Sequence, residues 1–311
     1  MAGAAGGLHP QVRALLEEAS REDDEAAPAD LEAKRAAYLD TALRLGGARE
    51  PVGEVREIVI GGRLRARSYR AKVTAEPLGA VVWLHGGGWL MGDLEGFDHV
   101  CRALAVAAGH VVVSVEYRLA PEHPFPAAVD DARAAVDWAL GHGAAQLGYD
   151  ADRVVVGGDS AGGNLAAVAA RHAAGRLRGQ LLVYPALDAA MDSGSYAQFA
   201  AGPMLTRDEM GQCYDTYLGT VDRTDPDASP LRCTELSGTP PAFVAVAGHD
   251  PLRDDGVRYA AALRAAGTPT ELRVFDDMVH GFLRWGGVVD RTGELISELG
   301  GAARRMLAAQ A

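Results

Sequence analysis

Lysine is almost missing from this chain: Lys34 and Lys72 are the only two in 311 residues, so arginine carries nearly all the positive charge. The bias reads as codon usage and not as a sign of thermophily. Against 42 acidic residues the 30 basic ones leave a net charge of -12, and no basic patch reaches the density that nucleic acid needs. Nucleic acid is excluded as a partner, and anionic substrates are disfavoured. Cysteine is scarce as well. Cys101, Cys213 and Cys233 are too few and too scattered for a disulfide framework or a zinc site, which predicts free thiols in a reducing compartment. No stretch approaches 18 uninterrupted apolar residues, and Met1 to Pro10 lack a basic segment followed by an apolar run. A cytoplasmic protein without stable membrane association is expected.

What is present is an ordinary globular composition, 48% apolar, in a chain long enough for one large domain plus an elaboration. The first 50 residues read as two helices, Pro10 to Ser20 and Pro28 to Leu45, joined by an acidic link. Glu54 to Ile60 and Leu64 to Tyr69 flank Gly61-Gly62, a hairpin signal. Short apolar strands then alternate with helical patterns at Ala80 to Leu84, Val111 to Tyr117, Val154 to Val156, Leu181 to Tyr184, Ala242 to Ala247 and Glu271 to Phe275. This pattern predicts an α/β fold with an eight-stranded, mostly parallel sheet, helices on both faces and an antiparallel hairpin near one edge. The connection from Tyr184 to Ala242 is longer than a usual crossover and holds a helical pattern, Met204 to Tyr217. It reads as an insertion that joins the N-terminal helices in a helical cap over the strand ends. The expected division is 1–50 for the N-terminal cap helices, 51–187 and 236–311 for the body, and 188–235 for the cap insertion.

The apolar run Val154 to Val156 stops at Gly157-Gly158-Asp159-Ser160-Ala161-Gly162-Gly163-Asn164, and an Ala-rich helical pattern follows. Ser160, in the frame G-x-S-x-G, thus sits on a sharp turn between strand and helix, with glycines where a Cβ would keep the two apart. The helix directs its N-terminal N–H groups at the serine and favours negative charge there. Gly-rich turns of this kind also hold phosphates, but neither G-x-x-x-x-G-K-[ST] nor G-x-G-x-x-G fits this one.

A serine hydroxyl needs an imidazole to take its proton and a carboxylate to orient that imidazole. Beyond Ser160 the histidines are His172, His249 and His280. His172 belongs to the helix after the turn, whereas His280 follows the last strand at the sheet end that carries Ser160. His280 is therefore the expected base. Asp250 follows the strand Ala242 to Ala247 and completes the order Ser, Asp, His. Asp254 and Asp255 fall into the next helix, and Asp276 and Asp277 are too near His280 along the chain to reach its ring freely. His85-Gly86-Gly87-Gly88-Trp89 ends another strand, and its three glycines let backbone N–H groups turn inward. The oxyanion donors expected from this pattern are the N–H groups of Gly87, Gly88 and Ala161. His85 is expected to brace the loop and not to bind metal.

Together with Tyr117-Arg118-Leu119-Ala120-Pro121-Glu122-His123-Pro124-Phe125-Pro126, Asp250-Pro251-Leu252-Arg253-Asp254 and His280-Gly281-Phe282, these motifs resemble the bacterial hormone-sensitive-lipase-like carboxylesterases of the α/β-hydrolase fold. The resemblance implies a carboxylic-ester hydrolase with catalytic Ser160, Asp250 and His280, an acyl-enzyme, no cofactor and no metal. It implies a small ester as substrate, and family members often dimerise. An amidase or formamidase on the same triad is the alternative chemistry. A non-catalytic small-molecule receptor is the alternative class, since the plant gibberellin receptors resemble this family but have lost a triad member. Short- to medium-chain esters are the expected substrates, with Trp89, Leu205, Met210 and Tyr214 as candidate pocket walls; at helical spacing these side chains could equally be core of the cap. Ala120-Pro121 and Phe125-Pro126 are candidate cis bonds.

Overall fold

Gly61 and Gly62, both with left-handed φ (58° and 76°), turn the chain back on itself between β1 (Glu54–Ile60) and β2 (Leu64–Arg70), which pair from Glu54↔Arg70 to Ile60↔Leu64. Among the described residues two helices precede this hairpin, α1 (Pro10–Glu22) and α2 (Leu31–Leu45). Asp30 caps α2 by accepting the amide of Ala33 at 2.9 Å, which sets its start just before Leu31. The computed structural model describes residues 7–22, 30–74 and 77–308; most of the acidic link between the helices and the start expected at Pro28 lie outside these.

The chain continues through β3 (Ala80–Leu84), α3 (Asp98–Ala108), β4 (Val111–Val115), α4 (Ala127–Ala139), α5 (His142–Leu147), β5 (Val154–Asp159), α6 (Ala161–His172) and β6 (Gly179–Val183). Then come α7 (Gly194–Gln198), α8 (Arg207–Leu218), β7 (Ala242–His249), α9 (Arg253–Ala265), β8 (Thr270–Val279) and α10 (Asp290–Leu307). The eight strands form one sheet in the order β1-β2-β4-β3-β5-β6-β7-β8. β2 runs antiparallel to β1 and β4, and every later pair is parallel.

Because side chains alternate across a strand, the sheet divides its apolar residues between two cores. Val82, Val113, Val156, Leu182 and Val244 face the core built with α4, α6 and α9. Val81, Trp83, Val112, Val155 and Leu181 face the other, where Leu8 and Val12 from the N-terminus join α3 and α10. Tyr196 of α7 and Met210, Tyr214 and Tyr217 of α8 belong to the first core. The 194–218 segment is thus fused to the sheet's own interior.

Several strands differ in extent from the apolar pattern: β6 starts at Gly179, β7 runs on to His249, and β4 stops at Val115, short of Tyr117. β5 continues through Gly157-Gly158-Asp159, and β8 runs to Val279 and so includes Asp276 and Asp277. In β8 the polar residues are tolerated because it is an edge strand, paired only with β7. The bonds Ala120-Pro121 and Phe125-Pro126 are both cis.

Candidate active site

β5 ends at Asp159, and Ser160 has φ 55° and ψ -118°, a backbone conformation that costs energy for any residue with a Cβ and is sustained only by its surroundings. The Ser160 amide donates to Val183 O at 2.8 Å, and its carbonyl accepts from Asn164 N and Ala186 N at 3.1 and 3.2 Å. The flanking glycines permit the turn. A Cβ on Gly158 would run into the backbone carbonyls of Leu84 and Gly162, and one on Gly162 into those of Leu84 and His85. β3, β5 and α6 therefore meet backbone to backbone at the serine.

The geometry joins three of the side chains singled out above. His280, in the turn directly after β8, has Nε2 2.9 Å from Ser160 Oγ and Nδ1 2.7 Å from Asp250 Oδ2. A carboxylate oxygen can only accept, so Nδ1 carries the proton and Nε2 is left as an acceptor facing the hydroxyl. Asp250 follows β7, is fully buried, and has its other oxygen fixed by the Leu252 amide at 2.8 Å. Ser160 keeps 7% of its surface exposed. Tyr184 lies against His280 with ring centroids 4.7 Å apart and limits how the imidazole can turn.

The competing groups are occupied elsewhere. Asp254 Oδ2 accepts the Ser195 amide, Asp255 Oδ2 accepts those of Leu187 and Asp188, and Asp277 pairs with Arg291. His172 Nε2 lies 2.8 Å from Asp227 Oδ1 at the end of α6, and His249 packs against Phe199.

Beside the serine, the His85-Gly86-Gly87-Gly88-Trp89 segment leaves β3 through three successive positive φ values: 125° at Gly87, 62° at Gly88 and 61° at Trp89. Among the described residues the amides of Gly87, Gly88 and Ala161 have no acceptor within the protein. Gly86 N donates to Asp159 Oδ1 at 3.0 Å, which ties this loop to the residue before the serine. Burial pushes the Asp159 carboxyl up to about 7, opposed by Arg284, by the Gly86 amide and by His280. His85 stacks on Tyr117 with centroids 4.2 Å apart, and its Nδ1 lies 2.9 Å from Gly86 O. Burial lowers its pKa to about 4, so the ring is neutral and serves as a packed brace.

Three of the four candidate pocket walls are buried side chains. Trp89 stacks flat on Tyr217, with centroids 4.6 Å apart and planes at 2°, and contacts Tyr214 at 5.0 Å. Trp89, Met210 and Tyr214 lie at 0 to 2% exposure inside the core between α8 and the sheet. They pack together as one layer, and of the four only Leu205 keeps appreciable exposed surface.

Sequence reasoning missed Asn164, whose Nδ2 donates to Ala186 O and Ala228 O and so ties the elbow helix to the long connection between β6 and β7. It also missed Arg35. The guanidinium of Arg35 reaches Leu90 O, Ala120 O and Glu122 from α2, contacts that span more than 50 residues and leave no local signal.

A family described as having the α/β-hydrolase fold matches residues 81–284. The carboxylesterase NlhH of Mycobacterium tuberculosis is 44% identical over 249 residues, 78% of this chain and 78% of its own length. An ethyl acetate hydrolase of Pseudomonas putida is 36% identical over 305 residues, 92% of this chain and 95% of its own. Among solved structures, an esterase of Pyrobaculum calidifontis superposes with a TM-score of 0.89 at 38% identity, covering 97% of this chain and all of that one.

Proposed function

The chain belongs to the α/β-hydrolase family as a carboxylic-ester hydrolase of the hormone-sensitive-lipase-like type, and from that premise we propose that it cleaves short- to medium-chain esters through an acyl-enzyme on Ser160. The observation that carries this reading is the continuous line from Ser160 Oγ through His280 to Asp250, with contacts of 2.9 and 2.7 Å.

Ser160 Oγ attacks the ester carbonyl while His280 Nε2 takes its proton. Asp250 accepts from Nδ1–H, which holds the ring and stabilises the imidazolium. The carbonyl oxygen gathers negative charge as the tetrahedral intermediate forms, and the amides of Gly87, Gly88 and Ala161 receive it. His280 then returns the proton to the departing alcohol. Water, deprotonated by the same nitrogen, attacks the acyl carbon and frees the acid.

We assign residues 1–50 and 188–235 to a cover over this site, and residues 51–187 and 236–311 to the catalytic body. What supports the assignment is that α2 contacts the Gly-rich loop through Arg35, while Tyr214 of α8 packs against Trp89 of the same loop and Met210 shares their core. The stacked Trp89, Tyr214 and Tyr217 give the cover a rigid inner layer. An acyl chain gains about 0.8 kcal/mol per buried methylene until it meets such a wall. The ethyl acetate hydrolase relative points the same way, toward small esters. Free Cys101, Cys213 and Cys233 suit a reducing compartment. Among the described residues no helix is long and apolar enough to cross a membrane.

A panel of p-nitrophenyl esters of rising chain length, run beside matched amides with wild type and Ser160→Ala, tests the reading. The expected result is a maximum at short to medium acyl chains, weak amide turnover, and a loss of at least about 10³-fold in folded Ser160→Ala. Undiminished turnover by that variant would remove the acyl-enzyme from consideration.

A further inference from the structure

The turn that carries the Gly87 and Gly88 amides is held in an unfavourable shape. Three residues in a row have positive φ, and the third, Trp89, pays a conformational cost that glycine escapes. Such a turn needs tethers. Inside the loop, Leu90 N and Met91 N donate to Gly87 O at 3.1 and 3.0 Å, and Ala120 N donates to Trp89 O at 2.9 Å. From outside, Asp159 holds the start of the loop at Gly86 and Arg35 holds its far end. Arg35 Nε donates to Leu90 O at 2.8 Å and Nη2 to Ala120 O at 3.1 Å, while Glu122 grips the same guanidinium with both carboxylate oxygens at 2.7 Å. One planar group thus fixes both strands of the tether, which the rigid fork of arginine can do and a lysine ammonium cannot.

Arg35 also stands on a helix docked at the far side of the site. Arg284, four residues after His280, lies 3.6 Å over the Tyr38 ring and donates to Tyr38 O at 2.6 Å, and Gly287 N donates to Leu45 O at 2.9 Å. α2 therefore fixes the spacing between the Gly-rich loop and the segment that follows His280. The Arg35–Glu122 pair is half open to solvent, where an ion pair contributes little to folding. Its geometry matters more than its contribution to stability.

We propose that Arg35 is a positioning residue for ester hydrolysis: from α2 it holds the Gly87-to-Leu90 turn in the shape that receives the oxyanion. The proposal rests on the oxyanion assignment made above. A donor misplaced by a fraction of an ångström loses most of its effect on the transition state and little of its effect on ground-state binding.

The test compares p-nitrophenyl acetate kinetics with inhibition by a trifluoromethyl ketone. Ser160 Oγ adds to the ketone carbon, its proton passes to His280, and the ketone oxygen becomes an oxyanion. Wild type should bind this ketone at least about 10²-fold more tightly than the matching methyl ketone. Arg35→Gln should lose about 10- to 100-fold in kcat and a similar factor in ketone affinity, with KM little changed. Arg35→Lys should fall between. Arg44→Gln removes an exposed pair with Asp40 from the same helix and should behave as wild type. Arg35→Gln with wild-type kcat and ketone affinity, or with a raised KM alone, overturns the proposal. If Arg35→Gln does not fold, the ketone affinity of Arg35→Lys decides by the same comparison. A wild type that does not distinguish the two ketones refutes the oxyanion assignment itself, a separate result from failure of the clamp.

Discussion

Gly86 donates its amide to Asp159 Oδ1 across 3.0 Å, so the residue preceding Ser160 is bonded to the loop facing it. The carboxyl group that makes this bond is buried, and burial raises its pKa to about 7.

That shift has a sign. An unfolded Asp releases its proton near pH 4, whereas folded Asp159 keeps it until about 7. Between those values the folded chain holds more protons, so stability is lost as pH rises from about 4 to 7. Asp159→Asn keeps an acceptor for Gly86 and does not titrate. Relative to wild type it should gain on the order of a few kcal/mol across that window. Urea denaturation of both proteins at pH 4 to 8 measures it, and a difference that stays constant with pH counts against the assignment.

Asp250 and Asp255 lie five positions apart, both buried, and only Asp250 touches His280. Asp250→Asn should lower kcat by about 10⁴-fold, because an amide that donates to Nδ1 imposes the wrong tautomer. In Asp255, burial pushes the carboxyl well above the usual range, and its Oδ2 accepts the Leu187 and Asp188 amides. Asp255→Asn preserves that acceptor and should change kcat only a few-fold. Rates on p-nitrophenyl acetate at saturating substrate compare the two, and the opposite order would move the triad acid to Asp255.

Gly162 and Gly293 both lie in helices yet should respond oppositely to alanine. At Gly162 the new methyl meets the backbone carbonyls of Leu84, which pairs with Gly158 in the sheet, and of His85 just after β3. Gly162→Ala should cost about 3 kcal/mol or more and impair turnover. At Gly293 nothing lies within 4 Å of the added carbon, and Gly293→Ala should stabilise α10 by up to about 1 kcal/mol. Melting curves read both.

The parts of the site legible in sequence were those written in consecutive residues. The glycines around Ser160 and after His85 state a backbone requirement locally, and chain order singled out Asp250 and His280. The apolar pattern ends β8 at Phe275 because Asp276-Asp277 interrupts it, although an edge strand needs only one neighbour. α7, at five residues, is too brief for a helical period to register. Trp89, Met210 and Tyr214 suggested a pocket by type and spacing, but whether an aromatic ring lines a space or fills it depends on its partner. Here Tyr217 takes the face of Trp89. Arg35 had no local signal because its acceptors belong to a distant loop.

Tyr196, Met210, Tyr214 and Tyr217 are buried in the same core as the central strands. Lifting their segment away from the sheet would strip several aromatic rings of their packing at once, a loss no single substrate molecule could offset. Among the described residues, the segment that carries α7 and α8 is therefore no hinged flap for an oil droplet to pry open. The enzyme's rate on a sparingly soluble ester should follow the dissolved concentration smoothly and level off at the solubility limit, with no jump when emulsion forms.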